Sequence, residues 1–188
     1  MTVVKADSEL VLDRGGVVTV DPLESVIDFL RRKYNLSEKL ANDAGRAAWE
    51  TIRHGPSSKV SKDVRDKEER DFWQLVIDAL QILETPESLA GILRQELRLT
   101  DPGWIDLLRD CKRASVTPMI LSNNLCFTAQ LQLDLGLQQF FEPHHVFLSC
   151  DIECSKSSGK PFDILLKQTG CPAHRMLCVD DRKRNIEQ

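Results

Sequence analysis

The chain has no excess of basic residues. Its 25 Lys and Arg stand against 29 Asp and Glu, a formal net charge of -4. That balance offers no electrostatic case for nucleic acid or for an anionic membrane surface. No apolar stretch approaches the roughly 20 residues that a membrane-spanning helix needs. The opening residues, MTVVKADSEL, lack the apolar centre of a secretory signal. The six cysteines form no CxxC pair and show no zinc-type spacing with the histidines. Read as incidental thiols, with Cys178 a small core residue inside an apolar run, they fit a reduced cytoplasm. There is no internal repeat and no low-complexity tract. What remains is a globular chain of 188 residues, 41% hydrophobic, large enough for one core plus a small appended unit.

Four short apolar runs are present, and each ends on a small polar or acidic residue. Leu10-Val11-Leu12 runs into Asp13, and Met119-Ile120-Leu121 runs into Ser122, Asn123 and Asn124. Val146-Phe147-Leu148 runs into Ser149, with Lys156 and Lys160 soon after. Met176-Leu177-Cys178-Val179 runs into Asp180 and Asp181. Helix-like stretches lie between them, so the runs read as buried parallel strands joined by crossovers. In such sheets a ligand sits outside the carboxyl ends of the strands. The rule gathers three carboxylates, a hydroxyl and one or two lysines at one edge.

From Asp21-Pro22 to about residue 99 the pattern is helical. Val26, Ile27, Phe29, Leu30 and Tyr34 fit one face; Leu40, Ala44, Ala47, Ala48 and Ile52 fit another. Gly55-Pro56-Ser57-Ser58 interrupts the pattern, and Phe72, Trp73, Val76, Ile77 and Leu80 then mark a further helix. The charged run Lys59–Arg70 reads as a solvated helix face and loop. Thr85-Pro86 and Asp101-Pro102 are helix starts, each a capping side chain followed by proline. An insert of this length is too long for a loop, so it should be a lid-like subdomain over residues 23–99. Residues 1–22 and 100–188 then form the core. The expected fold is α/β: a Rossmann-like parallel-sheet core with an inserted all-helical cap. It is expected to be truncated after the last motif, because the chain stops where a helix should begin.

The order Asp, Ser, Lys, acidic pair resembles that of the haloacid dehalogenase-like (HAD) hydrolase superfamily. LVLDRGGVV carries the first motif, MILSNN the second and VDDRKRNIE the last. Ala48-Trp49-Glu50 through Gly55, and Asp71-Phe72-Trp73, are similar to helical caps of its haloacid dehalogenase and glucose-phosphatase-like branch. Placing Ser149 and Asp151 at the start of the third motif puts Lys156 on the motif lysine without a gap. Lys160-Pro161 reproduces the family's KP pair but requires an insertion, so Lys160 is the alternative.

The resemblance implies a Mg²⁺-dependent phosphatase acting on a small phosphorylated metabolite. Asp13 would be the nucleophile and form an aspartyl-phosphate. Asp13, the backbone carbonyl of Gly15, Asp181 and Asp180 would hold the cation, which favours oxygen ligands. Ser122, Asn123 and Lys156 would bind the phosphoryl group, and Asn185 would support the acidic loop. Two departures stand out. Gly15 occupies a position where many members carry a second, acid–base aspartate. Arg14 stands where a small or apolar residue is usual, and it could pair with Asp13 or with substrate. Two alternatives follow: a catalytically weak or inactive regulatory protein, and a metal-free 2-haloacid dehalogenase. The expected setting is cytoplasmic, as a monomer or homodimer, with neither nucleic acid nor membrane as partner.

Overall fold

The computed structural model describes residues 9–52, 60–133 and 135–187. The four apolar runs form the strands β1 (Glu9–Leu12), β2 (Met119–Ser122), β3 (Val146–Leu148) and β4 (Met176–Val179). They make one parallel sheet in the order β3-β2-β1-β4. Val11 pairs with Met119 and Cys178, and Leu121 pairs with Phe147. All the strands therefore point their carboxyl ends at the same edge.

Side chains alternate along a strand, so one strand feeds two cores. Leu10, Leu12, Ile120 and Leu148 pack with Leu108 and Cys111 of α5 (Gly103–Arg113) and Ala129 of α6 (Cys126–Leu133). Val11, Met119, Leu121 and Phe147 face the opposite way and pack with Leu165 of α8 (Lys160–Thr169). Two short helices lie at the strand ends: α7 (Ser149–Ile152) follows β3 directly, and α9 (Lys183–Ile186) follows the acidic pair. Among the described residues β4 pairs only with β1, and its Leu177 and Cys178, which point to opposite faces, are both exposed. Cys178 is thus not the core residue its apolar run suggests, because neither face of this edge strand is covered there.

The stretch between β1 and α5 is helical: α1 (Pro22–Lys33), α2 (Glu38–Ile52), α3 (Lys62–Leu80) and α4 (Pro86–Glu96). Its two ends meet at a neck, where the Val20 amide donates to the Arg98 carbonyl at 2.9 Å and the Thr100 amide to the Val18 carbonyl at 3.1 Å. Asp21 is the N-cap of α1, its carboxylate accepting from the Leu23 and Glu24 amides, with Pro22 as first helical residue. Thr85 caps α4 in the same way. The other expected start, Asp101-Pro102, yields a helix that begins one residue later, at Gly103.

The helices pack around Phe72 and Trp73, whose rings meet edge to face at 4.8 Å. Each such buried side chain contributes roughly 2–3 kcal/mol of hydrophobic stabilisation. α2 presents Ala41, Ala44 and Ala48 to this core, while Leu40 and Ala47 are exposed. The stripe is rotated from the expected one, with three alanines rather than Leu40 turned to the core. Gly55-Pro56-Ser57-Ser58 and Lys59 lie outside the described residues. The rest of the charged run is not uniformly solvated, for Glu68 and Glu69 are buried. Among the described residues, no helix is long and apolar enough to cross a membrane.

Candidate active site

Asp13 sits where β1 ends. Its amide donates to the Val179 carbonyl at 2.9 Å, so the sheet ladder itself fixes its backbone. Its Oδ1 accepts from Ser122 Oγ at 2.8 Å and from the Arg14 amide at 2.6 Å. Its Oδ2 faces Lys156 Nζ at 2.8 Å. Burial raises the Asp13 pKa, while the Lys156 charge and hydrogen bonds from Lys156 and Ser122 oppose that rise. Lys156 is 2% exposed, and its Nζ also meets Asp180 Oδ2 at 2.5 Å. One buried ammonium thus bridges two carboxylates from different strands.

Asp180 is held from several sides. Its Oδ1 accepts from the Arg182 amide and from Asn185 Nδ2, both at 2.9 Å. Burial opposes its charge, but hydrogen bonds from Lys156, the Arg182 amide and Asn185 outweigh burial and keep its pKa below the usual carboxylate value. Asp181 is different: it is exposed, and its carboxylate accepts no hydrogen bond among the described residues. It lies against Gly16, which has φ +83°. A Cβ added to Gly16 would stand 2.4 Å from Asp181 Oδ2. The positive φ favours glycine there, and a Cβ would displace the Asp181 carboxylate.

The remaining expected residues divide. The Asn123 Oδ1 accepts from the Lys156 amide at 3.0 Å and so holds the lysine loop beside the cluster. Asn124 and Ser149 tie the ends of β2 and β3 together, the Asn124 amide donating to Ser149 Oγ at 2.9 Å. Lys160 is exposed at the start of α8 and stands apart from this cluster. The reason is local: a 3-10 turn at Lys156–Ser158 and Gly159 with φ +73° absorb the residues between the two lysines. Gly15 lies on the turn after Asp13, bridged through its backbone to Thr19. Asp21 serves as the cap of α1.

The Arg14 side chain, unlike its amide, makes no hydrogen bond to Asp13 among the described residues. It continues the alternation of Leu10 and Leu12 and enters the core beneath α6. There its Nη1 donates to the Ala129 carbonyl at 3.3 Å, while Nε and Nη2 find no partner. Burial lowers its pKa to about 10.

The donor set suits a hard divalent cation. Asp13, Asp180 and Asp181 each offer one carboxylate oxygen, and these atoms lie within 4.8 Å of one another. Asp13 and Asp180 are both already engaged, and Asp181 is the freest of the three.

No protein-family description matches this chain, and no curated protein matches it. Solved structures do. A HAD family enzyme of Bacteroides thetaiotaomicron, BT-2542 in its magnesium complex, superposes with a TM-score of 0.68 over 97% of this chain and 88% of that one, at 15% identity. The chain has the HAD hydrolase fold. The L-2-haloacid dehalogenase RSc1362 gives a TM-score of 0.63 at 19% identity, covering 91% of this chain and 76% of that one. A HAD phosphatase from Thermococcus onnurineus gives 0.54 at 20% identity, covering 93% and 77%. Across such distances the HAD likeness is one of fold, and chemistry has to be argued from the site.

Two features differ from the sequence expectation. Gly16 is marked in the sequence only by its place in LVLDRGGVV. Glu68 and Glu69 belong to the charged run expected to be solvated, although each lies four residues before Phe72 and Trp73. Helical spacing alone carries both onto the buried stripe.

Proposed function

We propose that this chain is a HAD-type hydrolase that cleaves small phosphomonoesters through a phosphorylated Asp13. The observation that carries the reading is the Lys156 ammonium between Asp13 and Asp180, with Asp181 in the same acidic cluster. Asp13 attacks the phosphorus, the ester P–O bond breaks, and the alcohol leaves with a proton drawn from water. Water then attacks the acyl-phosphate, which frees inorganic phosphate and restores the carboxylate. Ser122 and Lys156 donate to the oxygens that gain charge, and the Lys156 charge opposes the rise that burial imposes on the Asp13 pKa. A bound Mg²⁺, held by Asp13, Asp181 and the Gly15 carbonyl, would shield the nucleophile's charge from that of the ester. No acid stands two residues after Asp13, so the reading favours esters with good leaving groups.

The test is phosphate release from a panel of sugar, nucleotide and aryl phosphates with Mg²⁺ and with EDTA. Release that requires the metal and falls roughly 1000-fold or more in Asp13→Asn supports the reading. Halide release from 2-haloacids without metal would replace it with the dehalogenase alternative. Neither activity from folded protein would leave the regulatory alternative.

A further inference from the structure

The loop that carries Ser122 runs straight into the cap's core. Leu125 and Phe127, at 1% and 3% exposure, belong to the cluster built by α1–α4 rather than to either face of the sheet. The Phe127 ring lies 5.8 Å from Phe72 of α3. The polar counterpart is Glu68, also on α3 and 6% exposed, whose Oε2 accepts from the Phe127 amide at 2.9 Å. The Cys126 amide gives it a second backbone hydrogen bond. A cap carboxylate therefore satisfies amides that the first turn of α6 cannot satisfy itself, and its charge suits that helix end. The chain from there is short: α6 begins four residues after Ser122, which bonds Asp13, and three after Asn123, which holds the Lys156 backbone.

We propose that Glu68 is a positioning residue that couples the seating of the cap to the Ser122–Asn124 loop. With the cap seated, its carboxylate and the Leu125–Phe127 wedge hold that loop against Asp13 and Lys156. With the cap lifted, the first amides of α6 lose their acceptor and the loop loosens. The consequence for catalysis rests on the phosphatase reading; the mechanical tie does not.

Amide hydrogen exchange on the full chain tests the tie, with Glu68→Ala and Glu68→Gln beside the wild type. Exchange in peptides spanning residues 122–128 should rise roughly tenfold or more in Glu68→Ala, the size expected from losing charged hydrogen bonds. Peptides from β1 and α2 should not change. Glu68→Gln keeps an acceptor of the same shape and should show a smaller rise; it decides the matter alone if the alanine variant does not fold. In parallel, kcat for p-nitrophenyl phosphate should fall while KM stays within about twofold, the pattern of a lost transition-state arrangement. Unchanged exchange in residues 122–128, or a rise spread evenly over the molecule, overturns the proposal. A wild type that releases no phosphate counts against the phosphatase reading, and the exchange result still decides the tie.

Discussion

Lys156 and Arg14 are both cations at 2% exposure, yet the protein treats them oppositely. Lys156 ends between two carboxylates, its backbone held by Asn123 and its loop closed by a tight turn. The Arg14 guanidinium, one residue from Asp13, makes a single long hydrogen bond and leaves two nitrogens without hydrogen-bond partners. Burying a charge is costly unless it is paired and its hydrogen bonds are met. The first site meets that condition and the second does not. Lys156 therefore reads as part of a working cluster, while Arg14 reads as a stability cost carried beside it.

The largest break in this comparison is Lys156→Met. It strands Asp13 and Asp180 as unpaired buried carboxylates and should cost about 3–5 kcal/mol in urea unfolding at pH 7. The loss should shrink toward pH 4, where protonation relieves the pair. A loss below 1 kcal/mol would mean the ammonium is no keystone. Gly16→Ala comes next. Its Cβ collides with the Asp181 carboxylate at a positive φ, so stability should fall by roughly 1–2 kcal/mol. The Mg²⁺ concentration for half-maximal activity should rise several-fold. Arg14→Leu has the opposite sign. A shorter apolar side chain of similar volume removes two unmet donors and should raise stability by about 1–3 kcal/mol, read as a higher midpoint in denaturant. A fall would mean the guanidinium has a stabilising role that its contacts do not show.

The smallest effect concerns Asp21, whose pKa is raised from 3.8 to about 6 by burial and by the charge of Glu24. Below the lower value both folded and unfolded chains keep the proton. Between the two values the unfolded chain releases it first, so this group makes folding stability fall as pH rises, then level off. Asp21→Asn still caps α1 and does not titrate. It should be more stable than wild type at pH 7 by less than about 1 kcal/mol, because the side chain is 25% exposed and screened. The difference should vanish near pH 4.

The sheet and the polar cluster at its edge were legible because both follow from short-range rules. An apolar run with a polar end is a strand and its loop, and β1 to β4 start and stop within about a residue of the runs. Lys156 was legible over Lys160 because the ungapped spacing coincides with the turn that buries the first lysine. What was not legible depends on neighbours distant in sequence. Cys178 is exposed because β4 is an edge strand, and strand order is not written into its apolar run. Arg14 enters the core because its backbone parity is set by β1, against its own chemistry. Glu68 is buried because α6 offers it two amides from 58 and 59 residues away along the chain. Its spacing from Phe72 hinted at burial, and only the fold supplied the partner.

The central claim is that Asp13 becomes phosphorylated, and a rapid acid quench tests it most directly. Protein turning over p-nitrophenyl phosphate with Mg²⁺ would be quenched, digested and analysed by mass for a phosphoryl group on the peptide containing Asp13. The account expects that group on Asp13, cleaved by hydroxylamine and missing in Asp13→Asn. Turnover with no phosphoryl group on Asp13, or turnover that survives Asp13→Asn, would contradict it.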